Sequence, residues 1–369
     1  MILIPALLCL VLSACLPLLV RPLLVRLGIM DVPNERSSHE RPILRGLGLA
    51  VLIAMTVSGV VAVIALAVTS PDVGRWWVLL LIVVTGTFAA GLLGLAEDLR
   101  GLSVGVRSAC LLLIALAVPV ALLLAMRAFP DPFASGPLDD ITVDRGGALP
   151  GFTAIPLPFW VTIALVPYAV LFISSYINVA NFMDGLNGIS GFHGVIAGLT
   201  FAAAGFCSGL PWLVLAGLIL AAGFAGFLPW NLSKPGAFLG DVGSYLLGGA
   251  TAITSFAALL AGVPILATIG PMVIYFGDVG VTLVKRVRAG FKWDEPHKEH
   301  VYQRVQQLGY SHVAASAMTA LCTLAASLLG LASFYVAPIW WIALLCGGLL
   351  VLGVYLALPR LLARGRERH

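Results

Sequence analysis

Gly46-Leu-Gly-Leu-Ala-Val-Leu-Ile-Ala-Met-Thr-Val-Ser-Gly-Val-Val-Ala-Val-Ile-Ala-Leu-Ala-Val-Thr69 runs for 24 residues without a charge. About 20 apolar residues carry a helix across the hydrocarbon core of a bilayer, so this stretch predicts a membrane span. It is apolar continuously rather than in alternation, which argues for a helix and against a strand of a barrel. Comparable runs recur at 2–20, 76–95, 105–126, 158–177, 188–208, 211–228, 244–262, 264–285, 313–334 and 338–358, about 11 spans in all. The expected fold class is an all-α integral membrane protein, a polytopic bundle forming one transmembrane domain over 1–369.

Composition points the same way. The chain is 60% hydrophobic and 10% charged, whereas soluble domains lie near about 45–50% apolar and about 25% charged. Its mean hydropathy is +1.04. A net charge of +4, dispersed along the chain, does not suit a nucleic-acid surface. The cysteines (Cys9, Cys15, Cys110, Cys207, Cys322 and Cys346) sit inside apolar runs without Cys-x-x-Cys spacing. They read as small hydrophobes rather than disulfides or metal ligands. Leu12-Ser13-Ala14-Cys15 resembles a lipoprotein cleavage box. No basic residue precedes it and the apolar run continues to Val20, so a retained first helix is expected rather than a cleaved signal.

Charge orients the bundle. Loops 21–45, 96–107, 229–243 and 285–312 and the tail 359–369 hold 18 of the 21 Lys and Arg. The opposite side holds Arg75, Arg127 and Arg145. The positive-inside rule makes the first side cytoplasmic and places the N-terminus outside, periplasmic or extracellular. The basic tail (Arg360, Arg364, Arg366, Arg368) then lies inside as an orienting, lipid-surface anchor.

Every dense polar cluster falls on that basic side: Asp31 to Arg45, Glu97-Asp98, Asn178 to Asn187, Asn231 to Asp241, and His297 to Arg304. A helical bundle can gather these separate stretches into one shallow cytoplasm-facing site. Loop 127–157 has Asp131, Asp139, Asp140 and Asp144 with few basic or histidine partners, and reads as a solvated connector. Acids without a Cys or His cage suit a hard cation such as Mg²⁺, which shares its shell with substrate phosphates. Arginines bind phosphate oxygens bidentately. Phosphoryl transfer is mainly positioning and charge neutralisation, so the residue types point to a membrane enzyme acting on a phosphorylated substrate. A transporter or lipid flippase is the rival class, but transporters place ionisable groups near the bilayer midplane. Asp278, inside a predicted helix, is the one partial exception; it reads either as functional or as half of a buried pair that holds the bundle. His193, on an apolar helix, reads as a satisfied helix histidine.

The motifs, taken in order, are these. Asp31-Val-Pro-Asn-Glu-Arg36-Ser-Ser-His39-Glu-Arg-Pro42 runs on to Arg45-Gly46-Leu47-Gly48. Gly94-Leu-Ala-Glu97-Asp98 is followed by Leu102-Ser103 and Arg107. Asn178-Val-Ala-Asn181-Phe-Met-Asp184-Gly185-Leu-Asn187-Gly188 has a three-residue spacing that puts Asn178, Asn181 and Asp184 on one helical face, with glycines permitting close approach of a ligand. Asn231-Leu-Ser-Lys234-Pro leads to Phe238-Leu-Gly240-Asp241-Val-Gly243-Ser244, and His297-Lys-Glu-His300-Val-Tyr302-Gln303-Arg304 closes the series.

In this order the motifs resemble the polyprenyl-phosphate N-acetylhexosamine-1-phosphate transferases, glycosyltransferase family 4, over about residues 29–312. The final motif is closest to the branch that initiates O-antigen and other surface glycans. The resemblance implies transfer of a sugar-1-phosphate, of N-acetylhexosamine or 6-deoxy-N-acetylhexosamine type, from a UDP-sugar to undecaprenyl phosphate at the bacterial inner membrane, with release of UMP. A phospho-MurNAc-pentapeptide transferase is the alternative within the family. It implies Mg²⁺, with Mn²⁺ as the substitute, held by Asp241 and Asp184. Asp98, Glu97, Asp184 and His300 are the implied catalytic residues. Arg36, His39, Arg45, Arg107, Asn178, Asn181, Asn187, Asn231, Lys234, His297 and Arg304 are the implied substrate contacts. Partners are the UDP-sugar, the polyprenyl phosphate and membrane lipid, not nucleic acid, and the resemblance admits a homodimer. Glu97 departs from the family's usual Asp, and Tyr302 and Gln303 stand where many relatives carry histidines. Direct attack by the acceptor and a two-step route through a carboxylate nucleophile both stay open.

Overall fold

The structure, a computed structural model, describes residues 3–26, 30–31, 43–70, 74–129, 159–233, 236–292 and 297–366. Its α-helices are α1 (Leu3–Cys15), α2 (Pro17–Arg26), α3 (Gly48–Thr69), α4 (Gly74–Arg100), α5 (Val104–Ala128), α6 (Phe159–Met183) and α7 (Ile189–Cys207). There follow α8 (Pro211–Leu232), α9 (Gly240–Leu260), α10 (Ile265–Ile269), α11 (Val273–Arg288), α12 (Val301–Gln307), α13 (His312–Ala332) and α14 (Trp341–Arg366). Among the described residues 10 helices are long and apolar enough to cross a membrane, or 11 if the bent pair α1–α2 is one span. The chain is an all-α, multi-pass membrane protein, as its apolar runs predict.

One span is bent and another tightens into a 3₁₀ turn, each at a proline. Pro17 opens α2 after a bend of 41° from α1, because proline suits a helix's first turn and cannot donate within one. The helical path therefore runs on to Arg26, past the expected end of the first span. Between α10 and α11 the chain passes through a short 3₁₀ turn, Gly270–Met272, that contains Pro271.

Helix α9 is the axis of the bundle. Its apolar window is 94% buried, against 6% for the last span, Pro338–Ala363, which lies on the outside of the bundle. Small residues let neighbouring backbones reach α9, the usual route to close packing where lipid is as apolar as the side chains. A Cβ on Gly94 of α4 would sit 2.1 Å from the carbonyl oxygen of Asp241, and one on Gly48 of α3 would sit 2.6 Å from Gly243 Cα.

The connection into α3 is also tied to the start of α9. Ile43–Leu44 pairs antiparallel with Met30–Asp31, as two-residue strands β2 and β1. The Leu44 carbonyl accepts the Phe238 N–H at 2.9 Å, and Gly48 N–H donates to the Leu239 carbonyl at 2.8 Å. Arg45 is thereby fixed beside the N-terminus of α9. Helix α12 is short, seven residues, and lies at this same end of the bundle.

Replacing Gly94 by Val should cost stability on the scale of core overpacking, about 1–3 kcal/mol, and lower the melting temperature in detergent. Gly105→Val, at a position where a Cβ meets nothing within 4 Å, should leave it near wild type. Equal melting of the two variants would remove the close α4–α9 contact from the account.

Candidate active site

The site begins with Asp98 in the last turn of α4. One of its carboxylate oxygens accepts the Asp241 N–H at 3.1 Å and the other accepts the Val242 N–H at 2.8 Å. These are unpaired donors of the first turn of α9, where a carboxylate is favoured by both hydrogen bonding and the helix dipole. Arg45 Nε lies 3.1 Å from Asp98 Oδ1, and Arg45 Nη2 lies 2.7 Å from Asp241 Oδ2. One guanidinium thus spans two carboxylates. Asp98 is 1% exposed and Asp241 18%, so Asp241 is the more accessible acid.

Asn181, near the end of α6, donates through Nδ2 to Asp241 Oδ1 at 2.8 Å and to Ser244 Oγ at 3.0 Å. The turn continues just past α6, with the Asp184 N–H donating to the Asn181 carbonyl at 3.3 Å, as the three-residue spacing predicts. Asp184 Oδ1 accepts the Ser190 hydroxyl at 2.7 Å. Burial pushes the Asp184 acid up to about 7; the Ser190 hydroxyl opposes this, Asp241 and Asp98 add to it, and Arg45 opposes it. Asp98, Asp184 and Asp241 are close enough to feel one another's charge, and their negative charge exceeds that of the Arg45 cation.

That excess suits a cation. Among the described residues no three His, Cys, Asp or Glu side chains converge as a ligand set, so Asp241 and Asp184 supply at most part of a coordination shell. Carboxylate oxygens are hard donors, which fits an ion that completes its shell with water and substrate phosphates, as Mg²⁺ does.

Several residues expected to be catalytic (Glu97) or to contact substrate (Arg107, Asn178, Asn187, Asn231) hold the scaffold. Glu97 accepts the Leu102 N–H at 3.1 Å and lies 3.3 Å from Arg107 Nη1, clamping the turn between α4 and α5. Asn178 bonds back to the Ser174 carbonyl of its own helix at 2.9 Å. Asn187 donates to the Asn231 carbonyl and meets His312 Nδ1 at 3.2 Å. Asn231 in turn accepts the Gly188 N–H and donates to the Ala237 carbonyl at 2.9 Å. The two amides therefore knit the α6–α7 turn to the loop before α9.

His300 precedes α12, with Nδ1 3.2 Å from Asp278 Oδ1. Asp278 is fully buried and also accepts the Val301 N–H at 3.0 Å and the Tyr355 hydroxyl at 2.7 Å. It is half of a buried pair, one of its two expected readings. The His297 ring lies 4.9 Å from that of His300. Arg304 is exposed and lines a cleft with Lys285 and Leu356, to which none of Asp98, Asp184 or Asp241 contributes. His193 is buried, bonds Tyr176 at 2.8 Å and stacks on Tyr275 at 3.8 Å, but its Nδ1 has no hydrogen-bond partner among the described residues, so the expected satisfied histidine is satisfied on one side alone. Arg36, His39 and Lys234 lie outside the described residues, as does most of loop 127–157.

Tyr302 and Ser190 were not among the expected site residues. Tyr302 is 1% exposed, and its hydroxyl donates to the Phe182 carbonyl at 3.0 Å. A Cβ on Gly185 would meet that hydroxyl at 2.4 Å. The absence of a side chain at Gly185 thus makes room for Tyr302. The signal was present in the departure from histidine at 302, but its meaning needs the packing of α12.

A helical membrane bundle that collects acids, amides and a guanidinium at one end defines a class: a multi-pass membrane protein with a charged polar site at one end of its helices. The sequence model of glycosyl transferase family 4 matches residues 80–259, the stretch holding Asp98, Asp184 and Asp241. The chain is 29% identical to a decaprenyl-phosphate N-acetylglucosaminephosphotransferase of Mycobacterium tuberculosis, over 95% of this chain and 86% of the relative. It is 26% identical to a probable undecaprenyl-phosphate N-acetylglucosaminyl 1-phosphate transferase of Bacillus subtilis, over 80% of this chain and 74% of the relative. The decaprenyl-phosphate N-acetylglucosaminephosphotransferase of Mycolicibacterium smegmatis is 29% identical over 79% of this chain and 72% of the relative.

Gly185→Ala should lower both melting temperature and turnover by crowding Tyr302. Tyr302→Phe should cost about 1 kcal/mol for the lost hydrogen bond. Combined, the two should be less harmful than their sum, with a coupling of about 0.5–3 kcal/mol in a double-mutant cycle. Strict additivity would separate Tyr302 from the Asp184 turn.

Proposed function

We propose that the chain transfers an N-acetylhexosamine-1-phosphate from a UDP-sugar to undecaprenyl phosphate, releasing UMP and leaving a polyprenyl-pyrophosphate-linked sugar. The observation that carries this reading is the cluster of Asp98, Asp184 and Asp241 around Arg45, in a chain whose relatives above are named for that transfer. Those names all carry N-acetylglucosamine, which favours that sugar in the donor. The product would begin an O-antigen or another envelope glycan. The positive-inside rule supports the inner membrane, with site and basic tail cytoplasmic and the N-terminus outside.

In this reading Arg45 binds and orients the pyrophosphate, and Asn181 holds the Asp241 carboxylate in place. Asp241 and Asp184 would hold Mg²⁺, which when bound would neutralise phosphate charge. An oxygen of the acceptor phosphate attacks the β-phosphorus; the bond from that phosphorus to the oxygen bridging it to the α-phosphorus breaks, and UMP leaves with that oxygen. Direct attack is favoured over an Asp98 nucleophile by the bonding of both Asp98 oxygens to α9, which leaves Asp98 to orient Arg45. A phospho-enzyme trapped from wild type and absent in Asp98→Ala would overturn the direct route.

The test is UMP release by purified protein from a panel of UDP-N-acetyl-sugars, MurNAc-pentapeptide donor included. Release should require both undecaprenyl phosphate and Mg²⁺, stop with EDTA, and be greatest with the N-acetylglucosamine donor. Silence across the panel from folded protein would return the transporter reading.

Asp241→Asn should lower turnover at least about 100-fold, the scale of losing one key electrostatic group, with little change in melting temperature because its ion pair with Arg45 is partly exposed. Asp98→Asn should lower turnover and melting temperature together, since it also weakens the hold on α9. Near-normal rates in either folded variant would remove that residue from the mechanism.

A further inference from the structure

A second cleft opens at the same end of the bundle, between α11, α12 and α14. Its volume is about 220 Å³. Val281, Val301 and Leu356 give it an apolar wall, and Lys285, Arg304 and Glu299 a charged rim. Its charge is lopsided. Glu299 is already paired with Arg286. Lys285 and Arg304 are exposed, and among the described residues neither side chain makes a hydrogen bond or ion pair. Two cations thus face one cavity without a counter-charge of their own.

The cleft's position narrows what could supply that charge. Lys285 stands one turn before the end of α11, where a spanning helix leaves the hydrocarbon core. The third wall belongs to α14, the span whose apolar window is only 6% buried and which therefore borders lipid. Val284 of α11 and Leu361 of α14 are 50% and 53% exposed, so apolar surface flanks the cleft on both helices. A soluble anion would use the rim and leave the wall idle. A lipid uses both, its phosphate on the cations and its acyl chains along the helices. Basic pockets between spanning helices at the membrane surface bind anionic headgroups on this principle, and the planar guanidinium adds bidentate contact with phosphate.

We propose that the α11–α12–α14 cleft is a binding site for an anionic phospholipid of the adjoining leaflet, its headgroup phosphate held by Lys285 and Arg304. The site is separate from the acidic cluster, and Arg304 serves it rather than the sugar-phosphate donor. Bound there, the lipid ties α12 to the membrane surface; through Tyr302 it bears on the Asp184 turn.

The test is native mass spectrometry of the full chain, stripped of lipid in neutral detergent. It is titrated separately with dioleoyl phosphatidylglycerol, dioleoyl phosphatidylcholine and inorganic phosphate. Phosphatidylglycerol should be retained about tenfold or more over phosphatidylcholine, a ratio consistent with two basic side chains at a membrane surface. Lys285→Gln with Arg304→Gln should abolish that preference. Arg288→Gln with Lys292→Gln, which removes the same charge outside the cleft, should keep it. Leu356→Trp, which fills the cleft and leaves both cations, should lose it as well. Melting curves identify folded variants, and Leu356→Trp tests the cavity should the charge variant fail to fold. Equal retention by the two charge variants would overturn the proposal. So would equal binding of inorganic phosphate, or displacement of phosphatidylglycerol by undecaprenyl phosphate, which would make the cleft part of the acceptor site.

Discussion

The carboxylate of Asp98 is where this bundle and its chemistry meet. A buried charge is tolerated only when its oxygens are satisfied, and those of Asp98 are satisfied by another helix: the N–H groups of Asp241 and Val242 at the start of α9, with the Arg45 guanidinium alongside. This arrangement demands that α4 and α9 approach at backbone distance, which Gly94 permits. It also demands that the segment before α3 lie against residues 238–239, which its backbone hydrogen bonds secure. Helix packing, loop pairing and the placement of Arg45 are consequences of one ion meeting one helix terminus.

The same device is used a second time, and the comparison sorts the acids. Asp278 accepts the Val301 N–H at the start of α12, as well as Tyr355 and Thr282. Asp98 and Asp278 are thus carboxylates committed to foreign helix N-termini. Asp241 is partly exposed and bonded to side chains, and Asp184 has the Ser190 hydroxyl on one oxygen. An acid that holds a backbone in place is poorly free to exchange partners during turnover. An acid held by side chains can do so. On this physical ground Asp241 and Asp184 are better suited than Asp98 or Asp278 to meet an incoming cation.

Much of the fold could be read in the chain because lipid imposes one simple rule: a spanning segment must be apolar throughout and must bond to itself. Runs such as 46–69 and 211–228 state that rule directly. The bend at Pro17 and the 3₁₀ turn at Pro271 were less legible, since proline in a span can open a helix, kink it or pass unnoticed, and neighbours decide which. The gathering of Asp98, Asp184 and Asp241 was legible because all three follow or precede apolar runs on one charged side. What each polar residue does was not. Asn187 and Asn231 look like ligand contacts by type, yet their bonds join two loops distant in sequence. Gly185 looks like room for a ligand, and the room is taken by Tyr302, from a helix too short to announce itself by periodicity.

One consequence concerns Arg45. It bonds both the fixed acid, Asp98, and the more accessible one, Asp241, and it keeps 37% of its side chain exposed. In the proposed reaction a cation and a pyrophosphate enter together. The cation competes for Asp241 and the phosphate competes for Arg45, so the existing ion pair is exchanged for two new ones. Asp98 need not move, because its hold on α9 does not involve Arg45. It remains as an anchor about which the guanidinium can turn from carboxylate to phosphate while staying beside the reacting centre. A fixed acid next to an exchangeable one makes the ion pair of the unliganded site a placeholder for the charges of the substrate, and it keeps the cost of desolvating Arg45 from being met anew with each turnover.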